Sequence, residues 1–139
     1  MKHKVEKKRM PMNLNDYQKK AMLTCMPTSE NFSYMFLNLV GEVGEFASKV
    51  AKQIRKDNIT LGGDIIRSMV RPNSINFTTN KNTEVVINEL MLEAGDILWQ
   101  LSGLCTVMGW NLDDVAQMNL DKLASRRDRN VIDGNGDNR

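Results

Sequence analysis

Apolar residues recur in steps of three and four along two long stretches of the chain, and that spacing predicts helices. Phe36, Leu39, Val43, Phe46 and Val50 make one buried stripe, in a segment expected to run from a cap at Thr28 or Ser29 to about Lys56. Ile87, Leu90, Ala94, Ile97, Leu101, Leu104 and Met108 make the other, over about 84–108, with Gly109 placed to end it. A shorter helix is expected over 14–26, capped by Asn13, with Asp16 in its first turn and Pro27 as its stop. Asn111 reads as the cap of a fourth helix to about Arg127, because Asp113 and Asp114 then complement the positive end of its dipole. No stretch alternates with period two. The predicted fold is all-α, a four-helix bundle.

Residues 57–83 depart from this pattern, with Gly62-Gly63, Pro72 and many asparagines and threonines. They read as a long insert between the second and third helices, with a helical turn or two at Asp64–Val70. Connections of that length in a compact domain are commonly functional. The domain itself is expected over 13–130, between a basic, flexible tail at 1–12 and a C-terminal loop at 131–139. In the tail Lys2, Lys4, Lys7, Lys8 and Arg9 oppose only Glu6, which fits a solvated terminus better than a nucleic-acid contact.

Composition narrows the class further. A chain of 139 residues suffices for one domain with a core and is short for two. Ten methionines and only 6% aromatic residues favour helices over a β-sandwich. A net charge of +2 is too small to imply a nucleic-acid partner. Cys25 and Cys105 lie far apart and form no CxxC, which excludes a zinc knuckle or redox motif and suggests a reducing compartment. No apolar run reaches the ~20 residues that span a bilayer, and no apolar segment follows the basic N-terminus as in a signal peptide. The expected location is the cytoplasm.

The candidate chemistry lies in two acidic pairs. Glu42 and Glu45 are three residues apart in one long helix, and Glu93 and Asp96 are three apart in the next. Residues at i and i+3 share a helix face, so side-by-side helices would bring four carboxylates together. Two like charges ~4 Å apart cost roughly 4 kcal/mol at an effective dielectric of about 20, so such a cluster calls for protons or cations. The only histidine is His3, so the ligand set is all oxygen, suited to Mg²⁺ or Mn²⁺ and unsuited to zinc. Neither a Ser-His-Asp triad nor a Walker loop is present. Mg²⁺ typically takes up substrate phosphates, which makes phosphate chemistry the natural reading.

Other residues fit that reading, each with a plainer alternative. Asn119, Lys122 and Arg126 share a face of the fourth helix and can grip a polyphosphate or simply form a solvated basic end. Lys49 and Lys52 can pair with the acids or meet phosphate. Trp99 and Trp110 can flank a base, with packing the commoner role for such residues. Gly41, Gly44 and Gly95 each cost about 1 kcal/mol in a helix interior, for close packing or for room beside the acids.

Taken together, Leu39-Val-Gly-Glu-Val-Gly-Glu45, Glu93-Ala-Gly-Asp-Ile-Leu-Trp-Gln100 and Asn119-Leu-Asp-Lys-Leu-Ala-Ser-Arg126 resemble the MazG-like all-α nucleoside triphosphate pyrophosphohydrolases, in particular their small single-domain phage and bacterial members. Gly134-Asn-Gly-Asp-Asn-Arg139 is similar to the C-terminal loop of many of these, which makes Arg139 a further candidate. The resemblance implies that Glu42, Glu45, Glu93 and Asp96 hold Mg²⁺ and form the catalytic centre, with Glu42 or Glu45 favoured as general base. It implies water attack on the α-phosphorus, a nucleoside monophosphate and pyrophosphate as products, and Asn119, Lys122 and Arg126 on the phosphates. It further implies a homodimer or homotetramer with a nucleotide-pool role, in a host's cytoplasm if phage-encoded. There are two departures: the long insert, which bears on substrate preference, and Gly41 where many members carry another acid, which bears on a further metal ligand. The alternative from a different class is a helical nucleotide-sensing or interaction protein that keeps the metal site without turnover.

Overall fold

The computed structural model describes residues 11–55 and 81–132. Four α-helices carry them: α1 Leu14–Met22, α2 Phe32–Arg55, α3 Lys81–Val107 and α4 Leu112–Asp128. No strand occurs among the described residues, so the all-α expectation holds. The expected basic tail, the turns at Asp64–Val70 and Arg139 lie outside them; of the expected insert, 81–83 belong to α3.

Local chemistry explains most of the boundaries. Asn13 caps α1 as expected, its Oδ1 accepting from the Asp16 N–H at 2.7 Å. The helix stops before Leu23, short of the expected residue 26. Thr28 and Ser29 do not cap α2, because Pro27 opens a single 3₁₀ turn over Pro27–Ser29. Asn31 takes the role instead, its Oδ1 accepting from the Tyr34 N–H at 2.9 Å. Gly109 closes α3 with φ of 71°. There the Trp110 N–H donates to the Cys105 carbonyl and the Gly109 N–H to that of Thr106, a Schellman turn that needs the left-handed conformation glycine adopts cheaply.

Helix α3 is the hub: α2 packs along it and α1 lies across it, while α4 rests chiefly on α1. The helices approach closely at Gly103, where an added Cβ would stand 2.3 Å from the Met35 sulfur. Met35 is fully buried, and among the described residues it shares the apolar core with Val86, Cys105 and Leu112. Met35 meets Gly103 and Lys49 meets Glu93, so α2 and α3 run antiparallel.

The buried face of α2 is rotated from the expected stripe. Phe36 and Val43 are 46% and 50% exposed, whereas Met35 and Gln53 are buried. Apolar residues cover two sides of this helix, and the side toward α3 is shared with the polar Glu42, Lys49 and Gln53. On the outer side Phe32 and Phe36 stack with ring centroids 5.8 Å apart, followed by exposed Val40 and Val43.

Candidate functional site

The α2–α3 seam gathers the acids. Glu42 and Glu45 project from α2 one turn apart, Glu93 enters from α3, and one carboxylate oxygen of each lies within 4.8 Å of the others. Their exposure is graded: Glu45 is open to solvent, Glu42 half-buried and Glu93 only 7% exposed. Asn38, one turn before Glu42, donates its amide to Glu42 Oε1 at 3.1 Å. Lys49, one turn after Glu45, donates to Glu93 Oε1 at 2.5 Å. Glu93 Oε2 is buried and has no hydrogen-bond partner among the described residues.

Electrostatics follow from that crowding. Burial raises the Glu42 carboxyl above its ordinary value, the charges of Glu45, Asp96 and Glu93 push it the same way, and the Asn38 hydrogen bond opposes them. The Lys49 ammonium is held above its usual range, chiefly by its hydrogen bond to Glu93. Asp96 is exposed and stands outside the three-carboxylate group, yet its charge reaches Glu42. On its other side it helps burial to raise the Tyr17 phenol of α1. The fourth acid thus sits at the rim, between the cluster and α1.

The donor set fits a hard divalent cation. Three carboxylates supply oxygen ligands only, and a buried carboxylate oxygen with nothing to bond gains most from a cation. Gly44 and Gly95 meet nothing within 4 Å at the Cβ position and Gly41 meets only Asn38, at 3.9 Å. Among the described residues nothing packs closely against these glycines, all three of which are exposed.

The basic residues of α4 line two separate hollows, neither of which is lined by Glu42, Glu45 or Glu93. Asn119 and Lys122 line a cavity of about 710 Å³ together with Trp110 and Met118. That cavity opens at the turn ending α3, where Gly109 and Asn111 also line it. Arg126 is 6% exposed and lines a different hollow with Leu120, Leu123 and Ile132. Lys52 is exposed on α2. Trp99 is a packing residue, its indole N–H shared between the Ala21 carbonyl and the Thr24 hydroxyl. Trp110 is half exposed on the cavity wall. Both cysteines are free, and burial pushes the Cys105 thiol up, so it is an inert core group.

Residues 30–131 match the model of the MazG nucleotide pyrophosphohydrolase domain. The chain belongs to that family. The matched segment takes in α2, α3 and α4, with every acid named above and Asn119, Lys122 and Arg126, and it begins after α1. The chain is similar to the gene 37 protein of Mycobacterium phage L5, with 38% identity over 111 residues that cover 79% of this chain and 78% of that protein. No solved structure matches it.

Sequence reasoning passed over Asn38, Tyr17 and Gln18. Asn38 was within reach, since i and i+4 face each other on a helix and Glu42 follows it by four. Tyr17 and Gln18 had no such signal, because their partners lie about 80 to 90 residues further along the chain.

Proposed function

We propose that this protein is a Mg²⁺-dependent nucleoside triphosphate pyrophosphohydrolase, converting a (d)NTP and water to the monophosphate and pyrophosphate. The observation that carries this is Glu93 Oε2, a buried carboxylate oxygen without a hydrogen-bond partner among the described residues, beside Glu42 and Glu45, in a member of this family. Glu42, Glu45 and Glu93 hold Mg²⁺ or Mn²⁺, with Asp96 completing the set from the rim. When bound, the ion neutralises the triphosphate, orients it and lowers the pKa of the attacking water.

The chain's own groups do the rest. Glu42 or Glu45, the two α2 acids, takes the proton from that water as general base. Lys49 and Lys52 steady the triphosphate beside the acids. Asn119, Lys122 and Arg126 stabilise charge on the leaving pyrophosphate. The exposed stripe Phe32, Phe36, Val40 and Val43 supports a homodimer or homotetramer, since contiguous apolar surface marks interfaces. In such an assembly the site lies near a subunit interface and a neighbour supplies some of its ligands. No described helix is long and apolar enough to cross a membrane, which suits an enzyme of the nucleotide pool in the cytoplasm, a host's if phage-encoded as the relative's source suggests.

A panel of nucleotides with Mg²⁺ tests the reading. Monophosphate and pyrophosphate in equal amounts support it. Binding without product favours a nucleotide-sensing protein, and release of orthophosphate contradicts the mechanism.

A further inference from the structure

Gln18 is the one α1 side chain that is buried, at 8% exposure, and every polar atom it owns is used. Its Nε2 donates to the Thr106 hydroxyl at 3.0 Å and to the Trp110 carbonyl at 2.9 Å. Its Oε1 accepts from the Leu112 N–H at 2.8 Å. Thr106 passes the connection on to the Ser102 carbonyl, deep in α3. One amide therefore ties α1, the end of α3, the turn after it and the first residue of α4.

Asn111 stands at the expected cap position of α4 but does not cap it. Its side chain donates to Asp114 Oδ2 instead. Two of the open N–H groups of α4 are satisfied from α1, by Gln18 at Leu112 and by Asn15 Oδ1 at Asp113, 3.0 Å away. Because α4 rests chiefly on α1, these bonds fix its direction as it leaves α3. A small change of angle there grows along the helix: Lys122 lies ten residues on, about 15 Å away at 1.5 Å per residue.

We propose that Gln18 is a positioning residue that aims α4, and with it Asn119 and Lys122, at the polyphosphate. This rests on the phosphate-binding role proposed above for α4, and it holds whether the acids served belong to the same chain or a neighbour. Gln18 lies ahead of the segment matched to the family, in the helix that the match omits.

A double-mutant cycle on the full chain tests it, with inorganic tripolyphosphate and Mg²⁺ as the probe so that neither turnover nor base preference enters. Gln18→Met keeps the volume and removes all three bonds. It should weaken tripolyphosphate binding about tenfold while Mg²⁺ affinity at the acids stays within about twofold, since misplacement of a binding group is costly and the acids sit elsewhere. Lys122→Met should weaken tripolyphosphate similarly, and the double variant should be little worse than Lys122→Met alone, as expected when two residues act through one contact. Multiplying effects, or Mg²⁺ affinity falling in parallel, would overturn the proposal. If Gln18→Met does not fold, Asn15→Ala carries the same cycle with a smaller shift; an unchanged affinity there also overturns it. Failure of the proposed function reads differently: tripolyphosphate binds, the cycle is coupled, and no nucleotide yields pyrophosphate.

Discussion

Two buried polar side chains, Gln18 of α1 at the C-terminal end of α3 and Glu93 near the middle of α3, are treated in opposite ways. Gln18, 8% exposed, has both donors and its acceptor engaged, and the helices it touches are fixed by it. Glu93, 7% exposed, has one oxygen held by Lys49 and one with no hydrogen-bond partner among the described residues, in a cluster of like charges. A polar group satisfied on every atom adds rigidity and asks for nothing more. One left short costs free energy in the protein alone, of order 1–3 kcal/mol or more for a charge, and is retained where a ligand supplies the missing bond. The contrast marks one region of the bundle as architecture and the other as chemistry.

The largest effect should come from breaking the chemical region. Glu93→Gln keeps an acceptor for Lys49 and the same shape, so the fold should survive with its melting temperature nearly unchanged. Metal-dependent turnover should fall by more than the roughly 100-fold that groups merely supporting a metal's ligands can cost. A variant that hydrolyses nucleotides at the normal rate would remove Glu93 from the site.

The architectural region answers to packing. Gly103→Ala places a methyl group 2.3 Å from the sulfur of a fully buried Met35. Overpacking of this kind costs about 1–3 kcal/mol, a drop of roughly 4–10 °C in melting temperature for a chain of this size. Thermal unfolding with and without Mg²⁺ should show the same drop in both. A difference between them would mean that the two regions are coupled through α2.

How far each region was legible in the sequence differs for a physical reason. The helices and the shared face of Glu42 and Glu45 follow from periodicity, because a helix fixes which residues lie together; that Glu93 meets them depends on α2 and α3 packing side by side, and Asp96, expected with them, stands outside the group. The rotation of α2 did not follow, since Phe36 and Val43 look like core by spacing while Glu42, Lys49 and Gln53 occupy the side toward α3. Nor did the start of that helix, where Pro27 diverts the backbone into a 3₁₀ turn and leaves Asn31 to cap. Gln18 was the least visible of all. A glutamine among lysines in a short polar helix carries no pattern, and its partners are 88 to 94 residues away in sequence. The basic face of α4 was legible as a face, but periodicity within one helix says nothing about what lies opposite it.

A pH experiment sharpens the electrostatic side of the contrast. The Glu42 carboxyl is raised in the folded protein above its ordinary 4.5, so the folded state binds that proton more tightly than the unfolded chain does. Its stabilising share is complete below the ordinary value and is lost as pH rises through the raised one. Above that point the charged side chain burdens the fold. Glu42→Gln should therefore melt higher than the parent near neutral pH without divalent ions, and the advantage should vanish on acidification. Adding Mg²⁺ should raise the parent's melting temperature more than the variant's, because an ion held by the carboxylates stabilises the state that has them.

The smallest expected change separates stability from function most cleanly. Gly44 and Gly95 lie next to the acids in sequence, and a Cβ at either position meets nothing within 4 Å. Alanine at each should therefore stabilise the helix by up to about 1 kcal/mol, since glycine in a helix interior carries that cost and no neighbour objects. If the space serves only the chain, Gly44→Ala and Gly95→Ala are silent improvements. If it admits the ion, its waters and a phosphate, a methyl group intrudes on them, and turnover falls while melting temperature rises. A variant gaining both stability and activity would show that the glycines are not there for the ligand. Opposite signs in the two measurements would show that a ligand reaches the exposed helix faces that carry Gly44 and Gly95.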